Sequence, residues 1–104
     1  MKLNPILEEF KRELKTLYGP RLKKVILYGS WARGEATDES DIDVLLVLEG
    51  TVRPGKEIDR IIDIITEINL NYGVVLSVYP IAEKDYATVN SPLLMNVRKE
   101  GIPA

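Results

Sequence analysis

Six of the seven residues from Ile42 to Leu48 are apolar, and they fall on both alternations of an extended chain. One alternation reads Ile42, Val44, Leu46, Leu48; the other reads Asp43, Leu45, Val47. A strand with a single buried face would alternate apolar with polar. This one needs cover on both sides and belongs in the middle of a sheet. A chain of 104 residues, 45% of them apolar, can supply that cover only as one small core. The expectation is an α/β fold of the α+β type, a single domain over residues 1–104.

The flanking segments supply the other layers. Ile6, Phe10, Leu14 and Leu17 recur at three- and four-residue steps and predict a first helix. Asn4 is placed to cap it, Pro5 suits its first turn, and Gly19-Pro20 ends it. Leu22 to Tyr28 reads as a first strand, and Gly29 to Ser40 as a loop with a helical turn near Trp31-Ala32-Arg33. A long helix is expected from Lys56 to Tyr72, with Ile58, Ile61, Ile65 and Ile68 on one stripe and Gly73 as its stop. Val74 to Tyr79 reads as a third strand closed by Pro80. A short helix over Glu83–Thr88 follows, then one capped by Ser91, opened by Pro92 and ended by Gly101. The first two strands are joined by too short a loop for a parallel crossover, so they should pair antiparallel. The helical connection to the third permits a parallel pair. The result is a small mixed sheet of about three strands flanked by helices.

Composition removes several kinds of chemistry. The chain has no cysteine and no histidine, so disulfides, thiolate metal sites, thiol nucleophiles and imidazole bases are all excluded. A net charge of −2, with no polybasic run, disfavours direct nucleic-acid binding. The apolar run is far too short to span a membrane. The opening Met1-Lys2-Leu3-Asn4-Pro5 does not resemble a signal peptide. A cytoplasmic protein is expected.

One segment carries the chemistry. Gly29 to Asp43 reads Gly-Ser-Trp-Ala-Arg-Gly-Glu-Ala-Thr-Asp-Glu-Ser-Asp-Ile-Asp. Gly29 and Gly34 have P-loop spacing, but Glu35-Ala36 stands where that loop needs Lys and Ser or Thr. A different arrangement fits. Gly29-Ser30 sits at the carboxyl end of the first strand, where a tight glycine turn lets backbone N–H groups approach an anion. Arg33 can add a phosphate contact or form a surface salt bridge, and both readings stand open. Asp41 and Asp43 open the second strand and share a face, about 7 Å apart. Alone, such aspartates read as solvated acids. Beside a phosphate-binding turn, two repelling carboxylates suit Mg²⁺, which bridges carboxylates to phosphates. Metal-assisted phosphoryl or nucleotidyl transfer needs that combination.

Gly29-Ser30, ten intervening residues, then Asp41-Ile42-Asp43 resembles the minimal nucleotidyltransferases, the small branch of the DNA polymerase beta superfamily. The resemblance implies the nucleotidyltransferase fold and transfer of NMP, with ATP the expected donor, from NTP to a protein acceptor. By position, Gly29, Ser30 and Arg33 would bind the nucleotide. Asp41 and Asp43 would be catalytic and ligate Mg²⁺, two ions with the nucleotide. The resemblance also implies a partner, since many members are antitoxins paired with a helical HEPN protein.

The chain departs from the superfamily at Ser77. A third carboxylate usually stands on the third strand at that place, and serine is a poor base and a weak metal ligand. Glu35, Asp38 or Glu39 could reach in from the loop instead. Ser77 therefore keeps a second reading open, a catalytically weak antitoxin that neutralises a HEPN partner by binding. So small a chain is also expected to lack a second domain that closes over a nucleotide. A partner or a homodimer would supply that surface, with Trp31 and Leu93-Leu94-Met95 as candidate contacts.

Overall fold

The computed structural model describes residues 3–104. Met1 and Lys2, part of the opening read above, lie outside the described residues. The helices are α1 (Leu3–Tyr18), α2 (Ser30–Arg33), α3 (Pro54–Tyr72), α4 (Glu83–Thr88) and α5 (Pro92–Glu100). The strands are β1 (Leu22–Tyr28), β2 (Ile42–Leu48), β3 (Leu76–Ala82) and β4 (Ile102–Pro103), in the order β3-β2-β1-β4. β2 pairs antiparallel with β1 and parallel with β3.

The central place expected for β2 is the one it occupies, and both its faces are covered. Ile42, Val44, Leu46 and Leu48 pack with Phe10 and Leu14 of α1 and with Ile61, Ile65 and Ile68 of α3. Leu45 and Val47 face the other way, against Ile26, Ile81 and the α5 residues Leu94 and Val97. Fully burying one such side chain contributes about 1.5–3 kcal/mol. The two-sided apolar pattern is therefore what fixes a helical layer on each side.

Four sequence expectations need correction. The sheet has four strands, because β4 pairs antiparallel with β1, Ile26 opposite Pro103 and Leu27 opposite Ile102. Two residues are too few to show a period. Gly101 positions them by its size, since a Cβ there would meet the Val97 carbonyl and the Ile26 side chain. Next, β3 runs through Pro80. β3 is an edge strand, and the Val75 carbonyl accepts from the Ile42 N–H on the β2 side. Pro80 has the opposite parity, so its missing donor faces the open edge, where proline is tolerated. α3 begins at Pro54, whose fixed φ suits a first helical position. Finally, α1 begins at Leu3, so Asn4 lies in its first turn instead of capping it. The Ser91 cap is present, its Oγ accepting from the Leu94 N–H at 3.2 Å.

At the end of the sheet where β1 starts and β2 finishes, Glu57 of α3 is buried. It accepts from Tyr18 Oη at 2.9 Å and lies 4.0 Å from Arg21 and 3.9 Å from Arg60. A buried carboxylate persists only when held this way. Among the described residues no helix is long and apolar enough to cross a membrane.

Candidate active site

The opposite end of the sheet brings the motif residues together. β1 finishes at Tyr28 where β2 begins, and Tyr28 is the register partner of Asp43. On the other side Asp43 pairs with Ser77 of β3. Tyr28, Asp43 and Ser77 thus form one row across three strands, on the face that further along is covered by α5. Asp41 lies two residues before Asp43 and is exposed.

Gly29 follows Tyr28 and turns the chain off the sheet. Its φ of 73° and ψ of −153° belong to a region open essentially to glycine alone. A Cβ on Gly29 would also overlap the Asp43 carboxylate. Glycine is therefore required twice, for backbone conformation and for space. Ser30 opens α2, a single turn in which the Ala32 and Arg33 N–H groups both donate to the Gly29 carbonyl at 3.1 Å. Gly34, at φ 72°, ends it in the left-handed region.

The rest of the loop is tied back on itself. Trp31 Nε1 donates to the Ser40 carbonyl at 3.3 Å, and its ring packs against the α1–α3 core. Ser40 Oγ accepts from the Thr37 N–H at 3.0 Å. The ten residues between Ser30 and Asp41 therefore form a closed loop that leads into Asp41, whose charge acts on Asp43. Trp31 acts here as a packing residue.

Arg33 is ion-paired on both sides. Its Nε lies 3.0 Å from Glu35 and its Nη1 3.6 Å from Glu100 on α5. The Glu35 hydrogen bond and charge, then the Glu100 charge, raise its already high pKa. Arg33 is also close enough to Asp43 to oppose the rise in that carboxyl's pKa. It thus combines the surface salt bridge with a position at the site. Glu35 is engaged by Arg33 and adds no third acid beside Asp43.

Electrostatics single out Asp43. Burial, then the charge of Asp41, raises its pKa above the ordinary carboxylate value, and Arg33 only partly offsets this. Burial and the Asp43 charge likewise raise the pKa of Tyr28. Among the described residues no cluster of three or more acidic side chains could hold a metal. The donor set here is two carboxylates.

Sequence reasoning missed Tyr28, Tyr79 and Glu100 as neighbours of the site. Tyr28 immediately precedes Gly29, but its place beside Asp43 depends on strand register. Glu100 reaches Arg33 only through the packing of α5.

The chain is similar to known proteins over most of its length. Residues 7–100 match the family model described as a nucleotidyltransferase domain. A Methanocaldococcus jannaschii chain named "Putative protein adenylyltransferase MJ0604" is 42% identical over 96 residues, covering 91% of this chain and 90% of the relative. A second chain from that organism carries the same name with the designation MJ0141. It is 34% identical over 102 residues, with 98% of each chain covered. One chain of the solved structure "Crystal structure of the toxin-antitoxin with AMP-PNP" superposes with a TM-score of 0.63 at 19% identity. That superposition covers 92% of this chain and 70% of the other, and it supports the fold alone. With its mixed sheet, its glycine turn against an aspartate, and relatives matched along nearly their whole length, the chain belongs to the nucleotidyltransferase domain family and is a nucleotidyltransferase.

Proposed function

We propose that this chain transfers AMP from ATP to a hydroxyl of a protein partner in a Mg²⁺-dependent reaction. The observation that carries the reading is the close approach of the Gly29 turn to Asp43, with Asp41 near enough to Asp43 for its charge to act there. The names of the relatives, protein adenylyltransferases, point to the same donor and acceptor classes. Gly29 and Ser30 hold the triphosphate through backbone N–H groups and a hydroxyl. Arg33 exchanges carboxylate partners for phosphate. Such an exchange costs little, because exposed ion pairs are screened by solvent.

The two aspartates fit Mg²⁺ by their chemistry. Both are hard oxygen donors, and their mutual repulsion and the partial burial of Asp43 are costs that a dication relieves. Mg²⁺ commonly takes one or two protein carboxylates and completes its shell with phosphates and water. Bound by Asp41 and Asp43, the metal would supply neutralisation of the phosphate charge. The chain's own contribution is to hold the donor phosphates against a rigid strand entry and to leave the β3 side open to the acceptor.

A second reading rests on Ser77. It occupies the register position beside Asp43 and offers no carboxylate. In that reading the chain binds nucleotide, transfers slowly, and neutralises a HEPN-type toxin by direct contact. The toxin–antitoxin context of the structural neighbour motivates such a partner. A partner or a second copy of the chain would cover the nucleotide.

Calorimetry with ATP, with and without Mg²⁺, tests the proposal. Asp41→Asn with Asp43→Asn should remove the metal-dependent part of the affinity and leave the fold intact. Equal affinity in wild type and double variant would refute the assignment. Labelled AMP incorporated into a helical partner from source cells separates the transfer reading from the binding-only one.

A further inference from the structure

Asp43 stands between two phenols on the same sheet face. Tyr28 is its register partner on β1, and Tyr79 lies on β3 two residues beyond Ser77, opposite Leu45. The two rings are near enough that a charge on Tyr79 would raise the pKa of Tyr28. Their surroundings differ. Tyr28 packs against the α5-side core. Tyr79 is 45% exposed although the neighbouring Leu45 is fully buried.

The other tyrosines are occupied elsewhere. Tyr18 donates to Glu57, Tyr72 donates to Glu9 at 3.1 Å, and Tyr86 lies beneath the Lys24 ammonium. Among the described residues nothing hydrogen-bonds the Tyr79 hydroxyl.

The direction of attack distinguishes the two phenols near Asp43. Displacement at phosphorus runs roughly in line, with the attacking oxygen opposite the leaving one. On the proposed function, the leaving phosphates sit at the Gly29-Ser30 turn, which directly follows Tyr28. Tyr28 is thus on the leaving-group side, although it adjoins Asp43. The attacking side is that of β3, where Ser77 and then Tyr79 present their side chains.

We infer that Tyr79 is itself an adenylyl acceptor, and that the site modifies its own chain there when no partner hydroxyl occupies the β3 side. This rests on the proposed function. The Tyr79 phenol oxygen forms a bond to the α-phosphorus of ATP. The bond from that phosphorus to the bridging oxygen breaks, and pyrophosphate leaves. The phenolic proton passes to solvent, which reaches the exposed ring directly. Tyrosine is an established protein nucleophile in covalent enzyme chemistry. The product places a bulky anionic group at the mouth of the acceptor side, so modification would close the site to a partner.

The test uses the full chain with ATP and Mg²⁺, read by intact mass and peptide mapping. One adenylyl group on Tyr79 is expected, lost in Tyr79→Phe and in Asp41→Asn with Asp43→Asn, and kept in Tyr28→Phe. Label persisting in Tyr79→Phe, or lying on another residue, overturns the inference. So does an unlabelled wild type that binds ATP and adenylylates a partner, an outcome that leaves the proposed function standing. A chain that does not bind ATP takes both down. A second measurement reads position without chemistry: a bound non-hydrolysable ATP analogue should protect Tyr79 from iodination. Unchanged reactivity would place the ring away from the nucleotide and refute the inference.

Discussion

The Asp43 carboxylate occupies the space that a side chain on Gly29 would need. Gly29 directly follows β1 and Asp43 lies in its antiparallel partner β2, and each residue constrains the other. Gly29→Ala should cost about 1–3 kcal/mol from its backbone conformation alone. It should also displace Asp43 and abolish Mg²⁺-dependent ATP binding. Chemical denaturation gives the first quantity and calorimetry the second. Gly34→Ala is the control: it also places a side chain at positive φ, but a Cβ there meets nothing within 4 Å. A Gly34→Ala variant that loses binding as completely would show that crowding of Asp43 is not the cause.

Asp43 should also reveal itself in the pH dependence of stability. Its carboxyl holds a proton more tightly in the folded chain than in the unfolded one. The folded state therefore carries more protons, and stability falls as pH rises from the ordinary value of 3.8 through the raised one. Asp43→Asn should raise the melting temperature of the metal-free protein at about pH 7 and have little effect at about pH 3, where the carboxyl is neutral in both states. Thermal melts across that range are the measurement. A variant equally stabilised at both ends would point to a packing effect instead.

Ser77→Asp adds a third carboxylate in register with Asp43. In the metal-free protein it should lower stability by charge repulsion, and Mg²⁺ should restore it. If transfer is limited by a missing base, the rate should rise, though by less than the 10²–10⁴-fold typical of a positioned one. Melts with and without Mg²⁺, with AMP incorporation into a partner, decide the matter. A wild type that is already fast, with an unchanged or slower variant, would show that the site needs no acid at this position.

Tyr18→Phe tests the far end of the sheet. It removes the hydroxyl donor to Glu57, a residue only 4% exposed. The loss should be about 1–3 kcal/mol, the usual cost of an unsatisfied buried polar group. Nucleotide affinity should be unchanged, since Tyr18 and Glu57 stand at the opposite end from Asp43. Denaturant titration and calorimetry on the same sample check both halves.

The frame of the fold was readable wherever local pattern dictates structure. β1 and β2 span the residues that short apolar runs pick out, and their antiparallel pairing follows from the short connection. The motif was legible for the same reason, because a hairpin necessarily brings the end of one strand to the start of the next. What escaped depends on tertiary context. By sequence Pro80 reads as the end of β3, and only an open edge explains why it is not. β4 has no pattern of its own and exists because Gly101 delivers the chain to the side of β1. The partnership of Arg33 with Glu100 needs the whole of α5 in place.

The burial of β2 on both faces has a consequence for how the site responds to damage. Ile42 and Val44, which bracket Asp43, are both completely shielded from solvent by α1 and α3, and Leu45 and Val47 beyond it are covered on the other face by α5. The aspartate therefore cannot be released by local fraying. To lose its position the strand must lose its neighbours, which is nearly the whole molecule. The number of nucleotide-binding sites per chain, and not their affinity, should then report global integrity. A weakened core far from the ligand would lower the fraction of competent chains without changing the affinity of each intact one.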